Sequence, residues 1–500
     1  MMRIWSQIPS TTMSDLPHHD ERKEVDNSPS IATRASASSF VYDPVLEKRI
    51  WRKFDLYFVP IVTMFYLLSF LDRTSIGNAR VAGLQRDLKM TNSQYSMALT
   101  ITYIPYIIAE LPTNLLLRSV GPNIMMPTML ILWGVVTTLQ GVVTSYSGLL
   151  AARFFLGLLE GGITPGLVLY LSLFYPRHKL NTRLAAVFSS ASLAGAFSGI
   201  LASGIVKIKE SSTQTRPGWS WIFIIEGLFT VIFGLASYVL LPRSPKTTRF
   251  LTPEERDYIV GVLQGDTVAD DELFSWHDVG RALVAPQVIV AAIVFFFVGI
   301  VLFGLAFFVP SIIVGLGYTA SAAQLMSIPP YAVAFVAAIL FAFISDHYKC
   351  RGLVLIIISF LCTIGFAMFL GSDKQTVQYC SLFFSVSGIY STGPVLSTWA
   401  SNNSAPHTRR ATAIATGFIT SNVAGILVTW LFGSLSAAPR YHSATIVLLI
   451  SSVGIGLFAA ANVAYLVRQN RLKAEVRRTL PRAEEKKGLG DQSAWFEYML

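Results

Sequence analysis

Asp72 and Arg73 are adjacent near the end of an apolar run, LYFVPIVTMFYLLSFLD, that is otherwise almost uncharged. Arg153 and Glu160 stand seven residues apart in a second such run, ARFFLGLLEGG, and seven residues are two helical turns, so the two share a face. A charged side chain near a bilayer centre costs at least about 2.5–3.5 kcal/mol on insertion scales, so it faces a partner or a water-filled cavity. Two readings follow: a structural ion-pair network that lets the charges insert, or a functional set lining a path. The second is favoured, because four charges that folding does not need are an unfavourable way to join two helices. Glu110, in YIIAELPTN, reads as a helix-end carboxylate reaching water, and Glu226, in WSWIFIIEGLFT, as a packing-side carboxylate bonded to a neighbouring helix. Asn422, in FITSNVAGI, is an amide near the middle of another apolar run, where bonding to a neighbouring helix or to a ligand are both open. Asp346 and Arg351, in FAFISDHYKCRG, form either a solvated loop pair worth under about 1 kcal/mol or a latch at a helix edge.

The elements that must position these residues are membrane spans. The chain of 500 residues is 53% hydrophobic and 14% charged, with mean hydropathy +0.53, which no soluble domain arrangement accommodates. Twelve windows of about 20 mostly apolar residues can be placed, from 55–79 to 443–467, with 147–172 as a single fourth span. Continuous runs of that length exclude a β-barrel, whose strands alternate. The fold class expected is therefore an all-α membrane protein of twelve transmembrane helices. The first 44 residues lack an apolar core of signal-peptide length, so no cleavable signal is expected there. Cys350, Cys362 and Cys380 suggest neither a disulfide framework nor a zinc site, and the seven histidines fall in tails and loops without mutual pattern.

Of the 39 Lys and Arg, 29 fall in segments on the side of both termini and 8 on the other, a bias that places both termini in the cytoplasm. The +10 net charge is then mostly charge near anionic lipid and says nothing about nucleic acid. Counted along the helix, Asp72 lies roughly 26 Å up a core about 30 Å thick, Arg153 roughly 9 Å down the fourth span and Glu160 roughly 20 Å down. An arginine of the fourth span thus approaches the Asp72 region, with Glu160 nearer the middle.

The longest internal loop follows the sixth span and divides the chain six plus six. The organisation read is a cytoplasmic tail over 1–54, a six-helix bundle over 55–241, a linker over 242–285, a second bundle over 286–467 and a tail over 468–500. Two six-helix halves that rock about a midplane site are the layout of the major facilitator fold.

The stretches LDRTSIGNARVAGL, YIIAELPTNLLLRSVGP, RFFLGLLEGGITPGLVLYLSLFYPR, GWSWIFIIEGLFT with LPRSP after it, and TWASNNSAPHTRRATAIA resemble the fungal allantoate/nicotinate permease group of the anion:cation symporters. The resemblance covers residues 45–467. It implies that Asp72 and Glu160 exchange protons, that Arg73 and Arg153 balance them and meet an anionic substrate, and that Asn422 is a substrate-binding amide. It also implies Asp346 and Arg351 as cytoplasmic gating residues.

The function expected is proton-coupled import of a small organic anion, a carboxylate, ureide or vitamin-like acid, by alternating access. Protonation of Glu160 would release its hold on Arg153, and the freed guanidinium would take the substrate carboxylate. The proton is the coupling ion and no cofactor is expected. The partners expected are the substrate anion and the bilayer of the plasma membrane, with the protein a monomer. Export of an acidic metabolite is the alternative within the same fold, and a nutrient sensor or membrane-bound enzyme a remote one.

Overall fold

A computed structural model of the chain describes residues 43–211, 216–267, 276–436, 441–479, 485 and 489–500. Most of the tail expected over 1–54 and part of the expected linker therefore lie outside the described residues. Among these described residues sixteen α-helices follow one another: α1 (Pro44–Val81), α2 (Leu84–Asp87), α3 (Asn92–Val120), α4 (Pro122–Gln140), α5 (Tyr146–Glu160), α6 (Ile163–Phe174), α7 (Arg177–Ser211), α8 (Gly218–Leu240), α9 (Pro253–Thr267), α10 (Trp276–Val284), α11 (Pro286–Gly315), α12 (Ala320–Tyr348), α13 (Arg351–Gly371), α14 (Gln375–Asn402), α15 (His407–Trp430) and α16 (His442–Thr479). Residues Pro44–Leu500 form one compact unit.

Among the described residues, ten helical segments combine membrane-crossing length with high hydropathy. Two more long helices, α3 and α14, take the places of the second and tenth spans and complete twelve in two six-helix halves. α14 crosses in spite of its many hydroxyls because several of them are satisfied within the helix. Ser381, Ser385, Ser391 and Thr392 each donate to a carbonyl three or four residues earlier.

The fourth span differs from the continuous helix expected over 147–172. It is two helices, α5 and α6, separated by Gly161 and Gly162, so Glu160 is the last residue before the break. Gly161 packs against the backbone of Tyr106 on α3, an approach that a side chain would obstruct. Broken helices are tolerated at membrane depth where protein surrounds them.

Within the first half α3 packs on α5, α4 on α8 and α1 on α7; within the second, α11 packs on α15 and α16, and α13 on α14 and α16. Between halves the contacts run α7 to α12, α1 to α11, α3 to α15 and α7 to α14. Those of α1 with α11 and of α3 with α15 seal the end of the bundle remote from the chain termini, whereas α7 and α12 meet toward both ends. Gly77 on α1 meets the Phe307 backbone, and a Cβ at Gly199 would lie 2.8 Å from the Gln324 carbonyl. The Thr100 and Thr429 hydroxyls are hydrogen bonded at 3.0 Å, and Ser96 donates to the Thr429 carbonyl at 3.0 Å.

At the opposite end the linker is more ordered than a loop. Glu255 of α9 accepts from Lys53 at 2.7 Å, Phe250 stacks on Tyr57, and Asp278 of α10 accepts from Arg409 at 3.1 Å. The last residues of the chain fold back under the second half. Asp491 accepts from buried Arg409, while the Met499 carbonyl accepts from the Trp399 indole and the Asn403 amide, each at 2.9 Å.

Candidate functional site

Consecutive residues on a helix point about 100° apart, so Asp72 and Arg73 address different neighbours. The Arg73 guanidinium turns toward α3 and α11, over the ring of Tyr106 at 4.9 Å and of Phe303 at 5.5 Å. Phe303 belongs to the second half, so Arg73 stands where the two halves meet. Its Nε donates to Glu160 Oε1 at 3.1 Å, and the hydroxyl of Ser69, one turn earlier on α1, donates to the same oxygen. Asp72 instead enters the first half. Its Oδ2 lies 3.7 Å from Arg153 Nη1, and its Oδ1 accepts from Thr137 of α4 at 3.3 Å. The Arg153 guanidinium rests 5.7 Å from the Phe223 ring of α8.

The four charges are therefore brought together, as the sequence suggested, and Arg153 does reach Asp72. The pairing within the set is a correction. Glu160 holds Arg73 and not Arg153, because α5 ends at Glu160 and delivers its carboxylate to the face of α1 that carries Ser69 and Arg73. Asp72, Arg153 and Glu160 are 1%, 3% and 1% exposed, which makes each pairing an alternative to an unpaired charge in a low dielectric. Neither pair saturates its partners. Asp72 Oδ2, Glu160 Oε2 and Arg153 Nε and Nη2 are buried without a hydrogen bond.

Chemically the Arg73–Glu160 pair has the more adaptable arrangement. The carboxylate has a serine hydroxyl and a guanidinium on one oxygen, while the guanidinium has aromatic faces from both halves. Removing the charge of Glu160 would leave Arg73 with its cation–π contacts and a free donor set. An anion arriving between the halves would then find a guanidinium next to Tyr106, whose hydroxyl shares a hydrogen bond with Thr164 of α6.

The other sequence candidates fall elsewhere. Asn422 is buried on α15, next to Ser421, which packs on Gly299 of α11; among the described residues no hydrogen bond links it to the four charges. Asp346 and Arg351 pair at 2.7 Å, and Asp346 also accepts from Thr182 of the first half at 3.4 Å. Trp399, Asn402 and Asn403 hold the C-terminal segment through Met499. Ser69, Tyr106, Thr137 and Phe303 were not picked out by sequence. Ser69 carried a signal, being one turn from Arg73; for the other three only the fold supplies the proximity.

The Major Facilitator Superfamily profile matches residues 62–429. An uncharacterized transporter of Schizosaccharomyces pombe is 34% identical over 484 residues, covering 96% of this chain and 99% of its own. A high-affinity nicotinic acid transporter of Saccharomyces cerevisiae is 30% identical over 491 residues, covering 96% and 90%. Among solved structures, a D-xylose-proton symporter superposes with TM-score 0.64 at 17% identity over 81% of this chain and 97% of that one.

Proposed function

Because the chain belongs to the major facilitator superfamily and is a multi-pass membrane transporter, we propose that it imports a small organic anion coupled to protons, by alternating access. The observation that carries the reading is the Arg73–Glu160 pair, a buried acid–base contact placed where the halves meet and flanked by aromatic rings from each. The name of the yeast relative, a nicotinic acid transporter, supports an aromatic or similarly compact carboxylic acid and membership of the allantoate/nicotinate permease group.

In the cycle proposed, a proton reaching Glu160 neutralises it and weakens its hold on Arg73. The guanidinium then takes the substrate carboxylate in a charge-assisted, two-point contact, with Tyr106 and Phe303 covering the apolar part. Proton and anion bind cooperatively, since each removes an obstacle to the other. Asp72 is the second proton-exchanging carboxylate. Arg153 serves chiefly as its counter-ion, because its guanidinium faces α8 and not the meeting of the halves. Asn422 contributes from the second half, and Asp346 with Arg351 forms a gate at the terminal end, where Asp346 touches Thr182 of the first half.

With both termini in the cytoplasm of a plasma-membrane carrier, the sealed end is the outer one. The bundles over 55–241 and 286–467 rock as bodies joined by the linker over 242–285, and the protein works as a monomer.

The test is counterflow and gradient-driven uptake of radiolabelled nicotinate and other small carboxylates in proteoliposomes. Glu160→Gln is expected to exchange substrate but no longer to respond to a proton gradient. A gradient response equal to that of the wild type would refute the role of Glu160.

A further inference from the structure

The buried charges do not balance in pairs. Glu226 of α8 is 2% exposed, and unlike Asp72 and Glu160 it has no cation of its own among the described residues. It was expected to be bonded to a neighbouring helix. In the structure neither carboxyl oxygen makes a hydrogen bond of full geometry, although the Ser75 hydroxyl of α1 faces it.

Its position is fixed by close packing of α4 on α8. Gly227 meets Thr138 and Gly134, and Gly141 meets Ser220, so Glu226 stands level with Thr137, the residue that donates to Asp72. One turn before it, Phe223 carries the Arg153 guanidinium. The groups that act on Glu226 are Asp72 and Ser75 from α1, and Arg153 and Glu160 from α5. α4 brings the uncharged Thr137 and, one turn on, Gln140, fully buried with neither amide atom hydrogen bonded. From α7, Ser198 bonds the Ser75 and Asn78 side chains and adds no charge.

Asp72, Glu160 and Glu226 thus set three carboxyls against the Arg73 and Arg153 guanidiniums, and buried Glu110 of α3 adds a further one toward Arg73. Glu160 is held by Arg73 and Asp72 by Arg153, and Arg153 presents Nε and Nη2 with no hydrogen bond. An ionised third carboxylate there would be an uncompensated charge without solvent, a state proteins avoid by taking up a proton.

We propose that Glu226 is a further proton-carrying residue of the transport cycle: it and Asp72 share one proton and the Arg153 guanidinium, behind the Arg73–Glu160 pair. This rests on the reading of the chain as a proton-coupled carrier. In the step implied, the O–H bond on Glu226 breaks as one forms on Asp72. Arg153 transfers its pairing from Asp72 to the Glu226 carboxylate, and net charge is conserved. Asp72, one residue from Arg73, is then the group through which the proton approaches Glu160.

The experiment needs no substrate, so its failure is distinct from failure of the transport reading. Infrared spectra of purified full-length protein at neutral pH report protonated carboxyls by their C=O stretch. Wild type should show such a band, and Glu226→Gln should lose the intensity of one carboxyl. Asp72→Asn should lose it as well, because Arg153 is released to pair with an ionised Glu226, whereas Glu160→Gln should retain it. The Gln side chain is the closest neutral mimic of the protonated acid, so Glu226→Gln should also match wild type in thermal stability. A full wild-type band in Glu226→Gln, or failure of that variant to fold, would overturn the proposal.

Discussion

Arg73 and Arg153 are the same side chain on neighbouring spans, yet the structure gives them different neighbourhoods, and different consequences follow. Arg73→Ala should weaken anion binding at least about tenfold, since a hydrogen bond to a charged group contributes about 1.5–3 kcal/mol. Arg73→Lys should restore only part of it, because a lysine lacks the planar fork. Calorimetry with nicotinate and related carboxylates measures both, and unchanged binding in Arg73→Ala would count against the site. Arg153→Ala should act first on stability. It leaves Asp72 buried without its cation, a loss of about 3–5 kcal/mol for a broken buried pair, visible as a lowered unfolding temperature. The four residues were legible from type and depth alone, because lipid makes any charge conspicuous. Their pairing was not, since from Leu67 to Ala79 α1 is buried on almost every side. A helix covered all round has no apolar stripe from which to read its rotation. Glu226 was underrated for a related reason: one acid in an apolar run looks the same whether or not a partner faces it.

Among the elements, the contact of α1 with α11 is the clearest control point. Gly77→Val would drive a branched side chain into the Phe307 carbonyl and should force the sealed end apart. In a background with Cys350, Cys362 and Cys380 replaced, a cysteine at Thr429 should then become reactive to an impermeant maleimide; continued protection would contradict the seal. The linker gives a prediction in pH. Glu255 is buried, which opposes its charge, yet hydrogen bonds from Lys53 and the Thr252 backbone, with Arg49 nearby, hold its carboxyl below the usual range. A depressed value stabilises docking of α9 on α1 above the normal glutamate range and loses it as pH falls through the lowered value. Protection of α9 in hydrogen exchange should therefore decline on acidification in wild type. In Glu255→Gln it should already be low at neutral pH. The break between α5 and α6 could have been read from Gly161-Gly162 and Pro165, but hydropathy runs straight through that stretch. α9 and α10 escaped notice because short polar helices take their stability from docking, which sequence alone does not display.

The whole molecule was the most legible part. Twelve apolar windows with a long polar interval after the sixth permit few arrangements in a bilayer, and the two-half architecture is among them. What the windows leave out is how the halves meet, since that depends on small-residue contacts such as Gly77 with Phe307 and Gly199 with Gln324. A carrier built this way must couple the closing of one end to the state of the charges between the halves. The most direct measurement is uptake of radiolabelled nicotinate and a panel of small carboxylates into proteoliposomes under an imposed proton gradient, for wild type and Glu160→Gln side by side. Wild type should accumulate at least one of these anions with an inward gradient and lose that accumulation when a protonophore is added, while Glu160→Gln should equilibrate the same anion without regard to the gradient. Accumulation indifferent to the protonophore, or an equal gradient response in the variant, would contradict proton coupling through the Arg73–Glu160 pair.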